Sequence, residues 1–182
     1  MPENEGVSIN ASSRVVAVSV NRIEIEAEVS FETLRRAFEA EVPALDDEHF
    51  RRLVENGAEW RQFVQAASGN GIHSFVAFWQ HYPSSIMRVG GSDAPSASYL
   101  IGDYATAARM FRHDPGVMLY TPLRVELHVN RRGRTVLSVD QPSSQLVSLG
   151  SNKITQAGYE LDRMLGDLLE EIGLPRPEAL RR

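Results

Sequence analysis

Apolar residues along this chain change period several times, and each change predicts an element. From Val15 to Val20, and again from Arg22 to Val29, the two-residue period of a strand holds, with Ile23, Ile25 and Ala27 alternating against Glu24, Glu26 and Glu28. One face of the second strand is therefore wet. Ser30 then caps a predicted helix running to about Glu41, where Phe31, Leu34 and Phe38 fall at helical spacing and Arg35, Arg36 and Glu39 face outward; Pro43 marks its end. A second helix follows Asp46 as N-cap, with Phe50, Leu53 and Val54 as its apolar stripe up to Asn56 and Gly57. A third, over Ala58–Ala67, is expected to bury Trp60, Phe63 and Val64 before the break at Ser68, Gly69, Asn70 and Gly71.

Ser74–Tyr82 reads as a strand rich in aromatic residues, and Ser84–Val89 as its partner across a tight connection containing Pro83. Phe75, Ala77 and Trp79 alternate with Val76 and Phe78, so both faces are apolar, the pattern of a central strand covered on each side, one cover being a second subunit. After a loop at Gly90–Ser96, Ala97–Ile101 is another strand. Asp103 caps a helix to His113, and Asp114, standing before Pro115, is pushed out of helical conformation. Leu123–Val129 and Arg134–Asp140 form the clearest hairpin, with Leu123, Val125, Leu127 and Val129 on one side and Arg124, Glu126 and His128 on the other. Asn152 caps a last helix to about Ile172, whose stripe is Leu161, Met164, Leu165, Leu168 and Ile172; it spans roughly 30 Å at about 1.5 Å per residue. Hairpins with helices inserted between them, rather than regular alternation, predict an α+β two-layer sandwich: a mainly antiparallel sheet with helices packed on one face. The chain of 182 residues suits one domain over residues 15–174, between a disordered segment 1–14 and a frayed tail 175–182.

Composition narrows the chemistry. Cysteine is absent, which removes disulfides, thiolate nucleophiles and cysteine-held zinc or iron-sulfur centres. Residues 1–14 lack the basic and apolar regions of a secretory signal, and no apolar run approaches a membrane span, so a cytoplasmic protein with no membrane partner is expected. A formal charge of -5 offers no protein-wide basic field, which argues against nucleic acid as a partner. Arg131, Arg132 and Arg134 around Gly133 read as a solvated hairpin tip.

The standard sites are missing their parts. Neither Gly69–Gly71 nor the Gly90, Gly91 pair opens a helix as a phosphate cradle does, and no serine stands in a hydrolase elbow. His49, His73, His81, His113 and His128 are not at metal-ligand spacing from one another; His81 and His128 with Glu126 make the one conceivable group, and no metal and no cofactor are expected. Asp46 with Asp47 and Glu170 with Glu171 fit helix caps and exposed faces.

One segment departs from what packing requires: Gly102, Asp103, Tyr104, Ala107, Arg109, Met110, Phe111, Arg112, His113, Asp114, Pro115, Gly116, then Tyr120, Thr121, Pro122, Leu123, Arg124, with Asp140, Gln141, Pro142, Ser143 and Ser144 later. This combination resembles the bacterial family called domain of unknown function 302, over residues 22 to 172, with Asp103 where many relatives carry Asn and a helical insertion around residues 46–68. The resemblance implies a small α+β domain on an antiparallel sheet, commonly a homodimer, without an assigned activity. The residues themselves allow two readings: a structural one, in which His113 complements the helix dipole, Asp114 with Pro115 and Gly116 makes a turn and Tyr120 anchors a loop, and a ligand site. Arg109 and His113 are i and i+4 on one helix, and the returning chain carries Tyr120 and Arg124, a set suited to a small anionic ligand, with an imidazole as the titratable member. Trp79 and Asp103 complete the candidate ligand-binding residues. The expectation is thus a non-enzymatic small-molecule or anion-binding homodimer. The alternatives are a cofactor-free lyase, isomerase or hydrolase with His113 as general acid or base, and a protein interaction module.

Overall fold

Strict alternation places the sheet's middle. In the computed structural model, which describes residues 10–67 and 74–181, β4 (Leu123–Val129) lies third in an antiparallel sheet of order β1-β5-β4-β3-β2, with β1 (Arg22–Ala27), β2 (Val76–His81), β3 (Ser96–Gly102) and β5 (Thr135–Asp140). Val125 pairs with Tyr99 on one side and Val139 on the other, and Val139 with Ile23, so one face of four strands is apolar. The other face carries Arg22, Glu24, Arg124, Glu126, His128, Ser138 and Asp140 along an open cleft. The sequence elements Ser68–Gly71 and His73 lie outside the described residues.

Helices cover the apolar face. In α1 (Phe31–Glu41) the Ser30 hydroxyl accepts from the Thr33 amide at 3.1 Å, and Leu34 and Phe38 are buried, the Phe38 ring 4.7 Å from that of Tyr99. Burying one such side chain is worth about 2 kcal/mol. In α7 (Asn152–Glu171) Ile154, Ala157, Leu161, Leu165 and Leu168 recur every three or four residues and all are buried; its N-cap is Ser151, one residue earlier than expected. Following β5, α6 (Pro142–Leu146) packs on α7, so close that a Cβ on Gly158 would meet the Ser143 Cα at 3.0 Å. The two-layer α+β sandwich is therefore present, and among the described residues no helix is long and apolar enough to cross a membrane.

Four expectations are corrected. Val15–Val20 forms no strand: Val15 is 96% exposed and has no neighbour in the sheet to bury it. Ser84–Val89 is not a strand but a short helix, α4, held by the Ser84 hydroxyl, which accepts from the Ser96 amide at 2.9 Å. β2 is an edge strand, not a central one. Its apolar first half is buried, with Pro43–Leu45 running parallel beside it, Ala77 donating to Pro43 O and accepting from Leu45 N, while its second half is open. The tail is docked rather than frayed: Leu180 is buried, and Arg176 pairs with Asp167 and Glu170 of α7. Of the remaining helices, α2 (Asp47–Glu55) and α5 (Tyr104–Phe111) start at their expected caps Asp46 and Asp103, α5 ending two residues before His113, and α3 (Trp60–Ala66) starts two residues after Ala58, behind Glu59. The tip at Arg131–Arg134 is an exposed turn with Gly133 at φ 74°, as its composition predicts.

Candidate functional site

α5 begins where Asp103, 9% exposed, accepts from the Ala105 and Thr106 amides at 3.3 and 2.7 Å. It ends before Asp114, whose φ of -157° and ψ of 114° are those a residue preceding proline prefers. Thr106 and Met110 are buried, and α5 packs beside α7. That fixes what lies on its flank. Arg109, Arg112 and His113 line a groove of about 340 Å³ whose other wall is Lys153, Gln156, Ala157 and Glu160, successive turns of α7.

The groove is electrostatically uneven. Arg109 pairs with Glu160 and donates to Thr106 Oγ1 at 3.2 Å. Arg112, His113 and Lys153 have no side-chain hydrogen bond or ion pair among the described residues, and the first turn of α7 carries no acid. Three fixed cations thus face one carboxylate that is already engaged. Lys153 is the single lysine of the chain; every other fixed cationic side chain is arginine.

The structure keeps part of the expected cluster and separates the rest. Arg109 and His113 share the groove. Asp103 is consumed as a helix cap. Tyr120 is half-buried against the core, and its hydroxyl accepts from Ser148 Oγ at 3.4 Å. Arg124 is on the opposite, open face of the sheet, beside Arg22 and Asp140, because alternation along β4 turns it away from Leu123 and Val125. Trp79 is half-exposed on edge strand β2, its ring 5.5 Å from that of His81. The four-residue cluster of Arg109, His113, Tyr120 and Arg124 is therefore not assembled. Arg112, placed away from it by helical spacing, does line the groove, from the last turn of α5, where its backbone is still helical at φ -64° and ψ -24°. Lys153 and Gln156 were missed; the one available signal was the singular lysine at the start of a helix. His81, His128 and Glu126 do not converge either: Ser98 stands between His81 and Glu126 in the strand register and donates to Glu126 at 2.5 Å, and no group of three or more potential ligands occurs among the described residues.

Other motif residues hold the architecture. A Cβ on Gly102 would come within 2.6 Å of Phe78 Cε2, so only glycine allows that ring to settle over the strand end. Gln141 and Ser143 bond the buried Asp162 carboxylate of α7.

The family model described as "Domain of unknown function DUF302" matches residues 60–172, which leaves β1, α1 and α2 outside it. Among solved structures, the crystal structure of an uncharacterized conserved protein DUF302 from Bacillus stearothermophilus superposes with a TM-score of 0.58 at 12% identity, covering 83% of this chain and 97% of that one. At that identity the likeness concerns the fold. No curated protein matches the chain.

Proposed function

The chain belongs to the DUF302 family, and because that membership names no activity we propose, from the groove itself, a binding protein for a small multivalent anion held between α5 and α7. The observation that carries the reading is charge. Arg109, Arg112 and Lys153, with His113 beside them, converge on one concavity of a molecule whose net charge is -5. Clustered cations repel one another, and an anion seated among them relieves that cost; guanidinium groups grip carboxylate or phosphate oxygens in pairs. Arg109 is partly restrained by Glu160, leaving Arg112 and Lys153 as the groups whose charge is unspent.

Calorimetric titration of the full chain with citrate and with inorganic phosphate at low salt tests this. One anion should bind per chain, with affinity falling as sodium chloride is added. Arg112→Gln and Lys153→Gln should each weaken binding about fivefold, on the order of 1 kcal/mol for an exposed charge, with an unaltered melting temperature. Absence of saturable heat, or an affinity in both variants equal to that of the unsubstituted chain, overturns the reading.

The homodimer implied by family resemblance belongs to the same proposal. It is supported by the edge of β2, where the bridge at Ala77 is the sole pairing among the described residues, and by the exposed Trp79, Ile86, Met87 and Val89 nearby. Sedimentation should give twice the chain mass, reduced to the monomer by Trp79→Glu; a monomer in the unsubstituted protein contradicts it.

A further inference from the structure

Helices α2 and α3 carry apolar side chains at helical spacing, yet neither buries a residue: Val54 is 66% exposed and Trp60 48% exposed. The expectation that Trp60 is buried thus fails, and the reason is what the two helices face. Phe50, Val54, Trp60 and Phe63 line a cleft of about 480 Å³ together with Asp47, Arg51 and Tyr104, the first residue of α5.

The rings are ordered. Phe50 stacks on Tyr104 with centroids 5.4 Å apart and planes 22° from parallel, and Trp60 stacks on Phe63 at 6.4 Å and 23°. Phe50 and Phe63 join the two stacks at 6.1 Å, and Phe78 meets Tyr104 edge-on at 4.9 Å, anchoring the group to the sheet. We propose that this cleft binds a small planar aromatic or heteroaromatic molecule between the ring faces of Phe50, Trp60, Phe63 and Tyr104. The size fits an organic molecule, within the roughly 300–1,000 Å³ of small-ligand pockets, and is narrow for a peptide helix about 10–12 Å across. Aromatic faces favour flat partners at the offset-stacked separations their own pairs show. Asp47 and Arg51, one helical turn apart, form no ion pair with each other or with any other described residue, so an acceptor and a donor are open to groups on the ligand's rim. Burial, with the Asp47 charge beside it, pushes the Tyr104 phenol up, which keeps its proton available for donation.

This site shares no residue with the groove between α5 and α7, so each can fail alone. The test is 2-naphthol added to the ¹⁵N-labelled full chain, against decahydro-2-naphthol as the non-planar counterpart. The two tryptophans provide a built-in control. The Trp60 indole N–H signal should move saturably while that of Trp79 stays still. The saturated alcohol should bind at least about tenfold more weakly, and Phe63→Ala should cost a similar factor, about 1.4 kcal/mol. Because that substitution risks loosening α3, nuclear Overhauser contacts from 2-naphthol to the Phe50 and Tyr104 rings in the unsubstituted chain decide the matter independently. A stationary Trp60 signal, parallel drift of both indoles, equal binding of the two alcohols, or contacts confined to other residues overturns the proposal.

Discussion

Glu39 is the residue on which most polar side chains converge at the edge of the core. Its carboxylate accepts from Tyr82 at 2.7 Å and from Tyr99 at 2.8 Å, and pairs with Arg35 at 2.8 Å. Tyr99 is buried, and burial together with the Glu39 charge pushes its phenol well above the ordinary value, so it remains a donor at any physiological pH. For Glu39 itself burial acts to raise the carboxyl, but the bonds from Tyr82, Tyr99 and Arg35 outweigh it and hold it below the ordinary value of 4.5. A lowered folded-state value means that the carboxylate stabilises the fold fully above the unfolded value, and that this contribution is lost as pH falls through the folded one. Melting temperature against pH should therefore fall more steeply below pH 4.5 in the natural chain than in Glu39→Gln, and parallel acid limbs would refute the assignment. Nothing in the local sequence announces this role: helical spacing placed Glu39 among outward-facing residues, and its partners Tyr82 and Tyr99 are distant in the chain.

At the scale of elements, the sheet's exit is tied down by one side chain. Asp162 of α7, fully buried, accepts from the Ser143 amide at 2.9 Å, Ser143 Oγ at 2.6 Å and Gln141 Nε2 at 2.8 Å. Gln141 also donates to Ala179 O at 2.8 Å and accepts from Asn21 Nδ2 at 2.8 Å, so β5, α6, α7, the tail and the approach to β1 meet there. Asp162→Ala should cost about 3 kcal/mol in urea unfolding, since it strands buried donors; a loss under about 1 kcal/mol would contradict that role. Elements with one wet face were legible: the alternation of Ile23 to Ala27 and Leu123 to Val129, and the caps Ser30, Asp46 and Asp103, predicted their strands and helices well. What depended on distant partners was not. Six residues from Ser84 to Val89 carry no decisive period, and their helix is fixed by a bond to Ser96; Val15–Val20 has a strand's composition but no strand beside it. Arg109 and His113 were readable as one flank because helical spacing links them, whereas Lys153 stands across the groove on α7, beyond any local pattern.

For the whole molecule, one sheet face is spent on the core, and the candidate sites lie where helices meet each other. The groove between α5 and α7 concentrates positive charge on an acidic protein, and the cleft of α2, α3 and Tyr104 concentrates exposed rings. The central functional claim is that the first of these holds an anion, and the chain's single lysine offers a direct view of it. Reductive methylation with ¹³C-formaldehyde keeps the charge of Lys153 and labels its amine, apart from the α-amine at the N-terminus. On titration with citrate, the dimethyl-Lys153 carbon signal should shift to saturation while the α-amine signal holds its position. A Lys153 signal that does not move, or that drifts without saturating alongside the α-amine, would contradict the anion site.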